Sequence, residues 1–168
     1  ERMGLLDIFK PKKREENDDP IVDSLVSMTS SDAGLYVGAG ALKNSDIFSA
    51  IRKISGDIAG NEIIYDDESQ QGKRLINLIN KAPNKNQNAW SFWFAIMCSA
   101  LLNGNSYAKI DRNDSGQVTG LTFLENSDVT VMQDDKTHVL TYVYQGKRLS
   151  SDKVLHFKVF TQDGYKGV

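Results

Sequence analysis

The chain has 168 residues, a net charge of −2, and 40% hydrophobic against 25% charged side chains. That is one ordinary domain's worth of sequence, able to bury a core without disulfide or metal staples. The near-neutral balance argues against a protein whose main task is gripping phosphates over a broad basic surface. The single cysteine, Cys98, excludes an intrachain disulfide. Two histidines and one cysteine are too few for a usual zinc site without carboxylates.

The chain opens Glu1-Arg2-Met3-Gly4-Leu5-Leu6-Asp7-Ile8-Phe9-Lys10, with Met3 reading as the native start. Position 8 is Ile rather than Ser or Thr, so the myristoylation pattern fails. Lys10-Pro11-Lys12-Lys13-Arg14 is followed by Glu15, Glu16, Asp18 and Asp19, charges that cancel along a solvated tail. Residues 1–40 are expected to form a flexible N-terminal arm, ending at a Gly38-x-Gly40 joint. A folded domain is expected over 41–168.

Helix signals come first. Ser45 can cap a helix over Ser45–Ala59, with Ile47, Ile51, Ile54 and Ile58 on one face and Gly60 as its stop. Glu62-Ile63-Ile64-Tyr65 reads as a short strand. A second helix fits Lys73–Lys81, with Leu75, Leu78 and Ile79 inward, stopped by Pro83. Pro83-Asn84-Lys85-Asn86 then makes a turn. A third helix runs from Ala89 to Asn103, capped by Asn88 and ended by Gly104. Its apolar run, Ala89 to Leu102, is shorter than the roughly 20 residues a membrane span needs. It reads as a core helix, and no membrane partner is expected.

From Asn105 the period changes to two. Candidate strands are Ser106–Asp111, Val118–Leu124, Asp128–Gln133, His138–Tyr144 and Val154–Phe160, separated by turn clusters such as Asn113-Asp114-Ser115-Gly116. Helices followed by strands define an α+β fold, with the helices packed on one side of a mainly antiparallel sheet.

Chemistry is sparse. Cys98 sits inside the most apolar helix, where burial raises a thiol's pKa and makes it inert. His156 alternates with Leu155 and Phe157, so it faces the other side of its strand and pairs with a neighbour. Asp18-Asp19, Asp66-Asp67 and Asp134-Asp135 lie in turns without EF-hand spacing. No P-loop, GxSxG or HExxH motif occurs. Trp90, Phe92, Trp93 and Phe94 point in different directions from one helix with no basic residue beside them, which suits packing rather than base stacking. No catalytic, cofactor-binding or metal residue is expected, and no cofactor. A small hydrolase using Asp and His residues stays as the enzymatic alternative.

One ordered set of motifs is distinctive. Ala41-Leu42-Lys43-Asn44-Ser45-Asp46-Ile47-Phe48 leads into Leu78-Ile79-Asn80-Lys81-Ala82-Pro83-Asn84 and Phe92-Trp93. Then come Leu101-Leu102-Asn103-Gly104-Asn105-Ser106-Tyr107-Ala108 and Gly116-Gln117-Val118. Leu155-His156-Phe157-Lys158 and Asp163-Gly164 close the series. This order resembles the portal proteins of tailed bacteriophages, specifically the HK97-type family, over about residues 35–168.

The resemblance implies an N-terminal, wing-like piece of a structural subunit, without the channel and motor-docking regions. Its motif residues Pro83, Asn84, Gly104, Asn105, Tyr107, Gly116, Asp163 and Gly164 would determine the fold rather than react. The whole protein would form a ring, usually a dodecamer, at the head vertex of a virion, after assembly in the bacterial host cytoplasm. Implied partners are capsid or scaffold protein, terminase, neck and adaptor proteins, and double-stranded DNA passing without sequence preference. Another phage head or tail structural or interaction protein, or a host protein that reuses the domain for binding, is the non-enzymatic alternative.

Overall fold

The computed structural model describes residues 45–167. The arm over 1–40, the Gly38-x-Gly40 joint and the 41–44 start of the family-like stretch lie outside the described residues. Among the described residues three helices are followed by six strands: α1 Ser45–Ala59, α2 Gln70–Lys81, α3 Ala89–Asn103, β1 Asn105–Arg112, β2 Val118–Leu124, β3 Val129–Gln133, β4 Leu140–Tyr144, β5 Lys147–Ser150 and β6 Val154–Lys158. The strands form two antiparallel sheets, ordered β2-β1-β6 and β3-β4-β5. The α+β expectation holds, with one addition: the strands divide into two sheets.

The alternation along β1 shows how the layers stack. Ala108 packs toward α3 with Phe92, Ile96 and Leu121 in one core. Tyr107, its neighbour, points the opposite way and joins Leu124, Val131, Tyr142 and Val154 in a second core. The first sheet therefore lies between α3 on one face and the second sheet on the other. Residue period two places consecutive side chains on opposite faces, which lets one strand serve both cores.

α1 packs along α3, but not through its isoleucine stripe. Phe48, Ser55 and Ala59 are buried, whereas Ile47, Ile54 and Ile58 are 42–46% exposed. Two of the three buried side chains, Ser55 and Ala59, are small. Cys98 Sγ donates to Ser55 Oγ at 3.3 Å, so α1 and α3 meet through small side chains. An exposed Lys53–Asp57 pair decorates the outer face.

Glu62–Tyr65 is not a strand. Nothing pairs with it along a ladder; instead Asn80 accepts from Ile63 N at 3.0 Å and donates to Ile63 O at 2.9 Å. One amide side chain thus replaces a partner strand, and Ile64 stays 91% exposed. α2 starts three residues earlier than its apolar spacing suggests, because Ser69 caps it by accepting from Gly72 N. A Cβ at Gly72 would collide with Asp67, so only glycine admits this approach.

The strand expectations shift at their ends. His138 adopts a positive φ of 56° in the β3–β4 turn, so β4 begins at Leu140. Asn126–Asp128 forms a 3₁₀ turn before β3. β6 stops at Lys158, and Phe160 takes a φ of 53°. β5 escapes the hydrophobic pattern because Lys147-Arg148-Leu149-Ser150 is mostly polar. Its register is set by the two-residue turn Gln145-Gly146, both at positive φ, as a tight hairpin requires.

Candidate functional site

Four of the eight motif residues, Gly104, Asn105, Asp163 and Gly164, lie at the corner where α3 becomes β1 or in the segment that crosses it. Gly104 ends α3 at φ 69°, the left-handed conformation that suits glycine. Its carbonyl accepts from Val159 N at 2.8 Å, pinning the chain that leaves β6. That chain, residues 159–167, forms a strap back across the corner.

Asn105 holds the strap at both poles of its side-chain amide. Oδ1 accepts from Gly167 N at 2.7 Å, and Nδ2 donates to Gly167 O at 3.2 Å. The Asn105 carbonyl accepts from the Asn126 side chain, which ties in the 3₁₀ turn before β3. Gly167 must be glycine here: a Cβ would overlap the Gly104 carbonyl.

The strap is also braced within itself. Asp163 accepts from Tyr165 N at 2.7 Å and Lys166 N at 3.2 Å. Those backbone donors, Tyr165 first, hold its carboxyl below the ordinary range. Gly164 turns at φ 70°, and the Lys158 ammonium donates to its carbonyl. Tyr165 Oη donates to Val131 O, fastening the strap to the second sheet.

Three further motif residues sit at other joints. The Pro83 carbonyl accepts from Leu121 N at 2.7 Å, and Asn84 Nδ2 donates to Leu121 O at 3.2 Å. The α2–α3 corner thereby docks on β2 beside Gly120, where a Cβ would press the Pro83 carbonyl. Gly116 turns the β1–β2 hairpin at φ 78°, with Asn113 Oδ1 accepting from Ser115 N and Gln117 N. Tyr107 stands apart from these turns: it is buried between the sheets, and its burial pushes its hydroxyl up to about 12.

The reactive side chains stay apart. Cys98 is buried on Ser55, and burial pushes its thiol up. His138 bends an exposed turn, whereas His156 lies between the sheets. Among the described residues, no group of three or more His, Cys, Asp or Glu could hold a metal ion. Nor is any helix among them long and apolar enough to cross a membrane. Asp67 and Asp134, one from each acidic turn pair within the described residues, spend their carboxylates on local backbone donors at Ser69 and Thr137. Phe92 is fully buried and Trp93 donates to Ile79 O at 2.8 Å, whereas Trp90 is half exposed and stacks on Phe94.

An open groove of about 350 Å³ runs between α2 and the β1–β2 hairpin, past Tyr65, Gln71, Arg74, Arg112 and Gln117. Arg112 already donates to Gly116 O at 2.9 Å.

Sequence spacing alone did not associate Asn126 or Gly167 with this corner. Their partners lie 21 and 62 residues away, and neither carries a local pattern that signals such a bond.

The chain belongs to the phage portal protein family, whose model matches residues 45–168. Its fold is similar to a chain in the neck of an empty gene transfer agent particle computed with C6 symmetry. That match has a TM-score of 0.60 and 20% identity, and covers 89% of this chain and 40% of the other. It is likewise similar to an HK97 family phage portal protein from Corynebacterium diphtheriae, with TM-score 0.59, 18% identity, and coverage of 78% and 43%. The neck of a native gene transfer agent particle computed with C12 symmetry gives 0.58, 18%, 89% and 38%. The chain thus spans about two fifths of the length of these structures. No curated protein matches it. The HK97-type resemblance drawn from the motifs agrees with these findings.

Proposed function

We propose that this chain is the N-terminal, wing-side part of a portal subunit. In that reading the subunit joins copies of itself in a ring at the head vertex, through which double-stranded DNA enters and leaves. The observation that carries the reading is the family match across 45–168, which includes every described motif residue. The fold adds support, because chains of a portal and of particle necks superpose on most of it.

The role is mechanical. Identical subunits related by rotation bury unlike surfaces against one another and close into a ring. The eight motif residues would act by fixing joints: Pro83, Asn84 and Gly116 at the first sheet, Tyr107 between sheets, and Gly104, Asn105, Asp163 and Gly164 at the strap. A net charge of −2 is compatible with part of a ring that DNA passes through without being gripped. Capsid or scaffold protein, terminase and neck proteins are the partners such a subunit meets, first in the host cytoplasm and then in the virion. Residues 1–40 would serve as an arm beside the 41–168 domain. No step of catalysis belongs to this reading.

Electron microscopy of the parent protein tests it. Rings with a central hole are expected; discrete monomers or open tubes would refute it. The coding sequence beyond Val168 gives a second check, since a long helix-rich continuation is expected.

A further inference from the structure

Glu62-Ile63-Ile64-Tyr65 has only one of its two edges occupied. Asn80 binds both Ile63 N and Ile63 O, as a neighbouring strand would. In extended chain the N–H and C=O of consecutive residues point to opposite edges. Ile64 therefore turns its backbone groups away from Asn80, and no described residue bonds to them. Its side chain is 91% exposed, with Ile63 and Tyr65 exposed beside it. Acids bracket these apolar residues: Glu62 and Asp66 are both exposed. Glu62 accepts one long bond, 3.4 Å from Asn80 Nδ2, which leaves its charge without a cation.

The sheets contain a counterpart. At Leu121, β2 is met by Pro83 and Asn84, and β3 takes the Tyr165 hydroxyl at Val131 O. On β6 the one lysine, Lys158, donates to Gly164 O. β5 is different. It pairs only with β4, so its other edge is open. Lys147 and Arg148 are exposed there, and neither has a carboxylate partner among the described residues. In a two-residue hairpin the flanking pair, here Tyr144 and Lys147, bonds inward. Arg148, next along, thus presents its N–H and C=O on the open edge.

Charge decides which edges can meet. Lysine on an edge strand normally repels a second strand. Two β5 edges repel each other, and so do two acidic segments, whereas β5 and the acidic segment attract. Each chain carries both halves of one unlike pair, which is what head-to-tail closure of a ring requires.

We propose that Glu62–Tyr65 of one subunit adds to β5 of the next, as an antiparallel fourth strand on its β3-β4-β5 sheet. With Ile64 opposite Arg148, the two residues exchange both backbone bonds, and Arg148 stands diagonal to Glu62 and Asp66. The assignment deepens the ring reading and rests on it, since it says which surfaces of the subunit meet.

Crosslinking and charge reversal in the full-length parent protein test the pairing. Ile64→Cys with Arg148→Cys, treated with a short bis-maleimide, should give a ladder of multimers on a denaturing gel. Each single variant should give none. Glu62→Lys with Asp66→Lys should raise the subunit concentration for half-assembly about tenfold. Lys147→Glu with Arg148→Glu should do the same, and the variant carrying all four reversals should regain assembly. Every altered side chain is exposed, so thermal unfolding of the subunit should stay unchanged. Rings that give no ladder and ignore both reversals would overturn the pairing and leave the ring reading standing. A loss of assembly that the fourfold variant does not rescue would overturn it too. Failure of the unaltered parent to form rings would overturn the ring reading, and the pairing with it.

Discussion

The two cores, either side of the first sheet, are built on different principles. Against α3, Phe92, Ile96, Ala108 and Leu121 meet as pure hydrocarbon, with half-buried Phe157 and Leu155 around them. Between the sheets, the core is tyrosine-rich: Tyr107, Tyr142 and half-buried Tyr165 bring hydroxyls inside with the hydrophobic rings. Burial raises the pKa of Tyr107 and Tyr142 alike. The first core depends on filled volume. The second depends equally on where each polar tip finds its partner, and Tyr165 ties it to the strap.

The largest way to break that contrast is on the hydrocarbon side. Phe92→Ala empties a fully buried site and should cost about 3–5 kcal/mol, read as a drop in the urea midpoint. That loss should be the same at pH 7 and pH 5, because no titrating group touches the site. Asn105→Ala comes next, at about 1–3 kcal/mol, since it leaves Gly167 and His156 donors without their acceptor. It should also raise amide exchange along the strap while leaving α3 protected. Tyr142→Phe keeps the ring and removes one donor, for about 1 kcal/mol.

Smaller effects sharpen the comparison from the other direction. Ser106 is fully buried, and its hydroxyl has no hydrogen-bond partner. Ser106→Ala should therefore hold or raise stability, by up to about 1 kcal/mol in thermal unfolding. Ile54→Lys lies on the open stripe of α1 and should stay within about 0.5 kcal/mol of the unaltered chain. A larger loss would show that this stripe is covered in solution.

Much of the architecture is legible in the residues themselves. α1 and α3 carry their own boundaries, because Gly60, Asn88 and Gly104 are local signals that act within a turn. The alternation in β1, β2 and β6 is legible for the same reason. The errors have a common cause. Ile47, Ile54 and Ile58 are the most apolar stripe of α1, yet Phe48, Ser55 and Ala59 are the buried positions, and at Ser55 a small side chain lets the neighbouring helix approach closely. Glu62–Tyr65 has strand composition, but a strand exists only where another backbone pairs with it, and Asn80 occupies that place. β5 has the opposite problem: a poor pattern rescued by a tight turn.

The corner at Gly104 divides these influences most clearly. The sequence by itself determined that a helix would end at Gly104 and that His156 would face away from Leu155 and Phe157. Those outcomes depend on φ preference, short-range hydrogen bonding and the two-residue period of a strand. Only the tertiary structure decided that Gly167 would lie on Gly104, that Asn105 would grasp it, and that one imidazole would link two sheets. The two Asn105 contacts, to His156 and to Gly167, join residues 51 and 62 positions apart. They form only after the layers have stacked, because no local preference carries information across that distance.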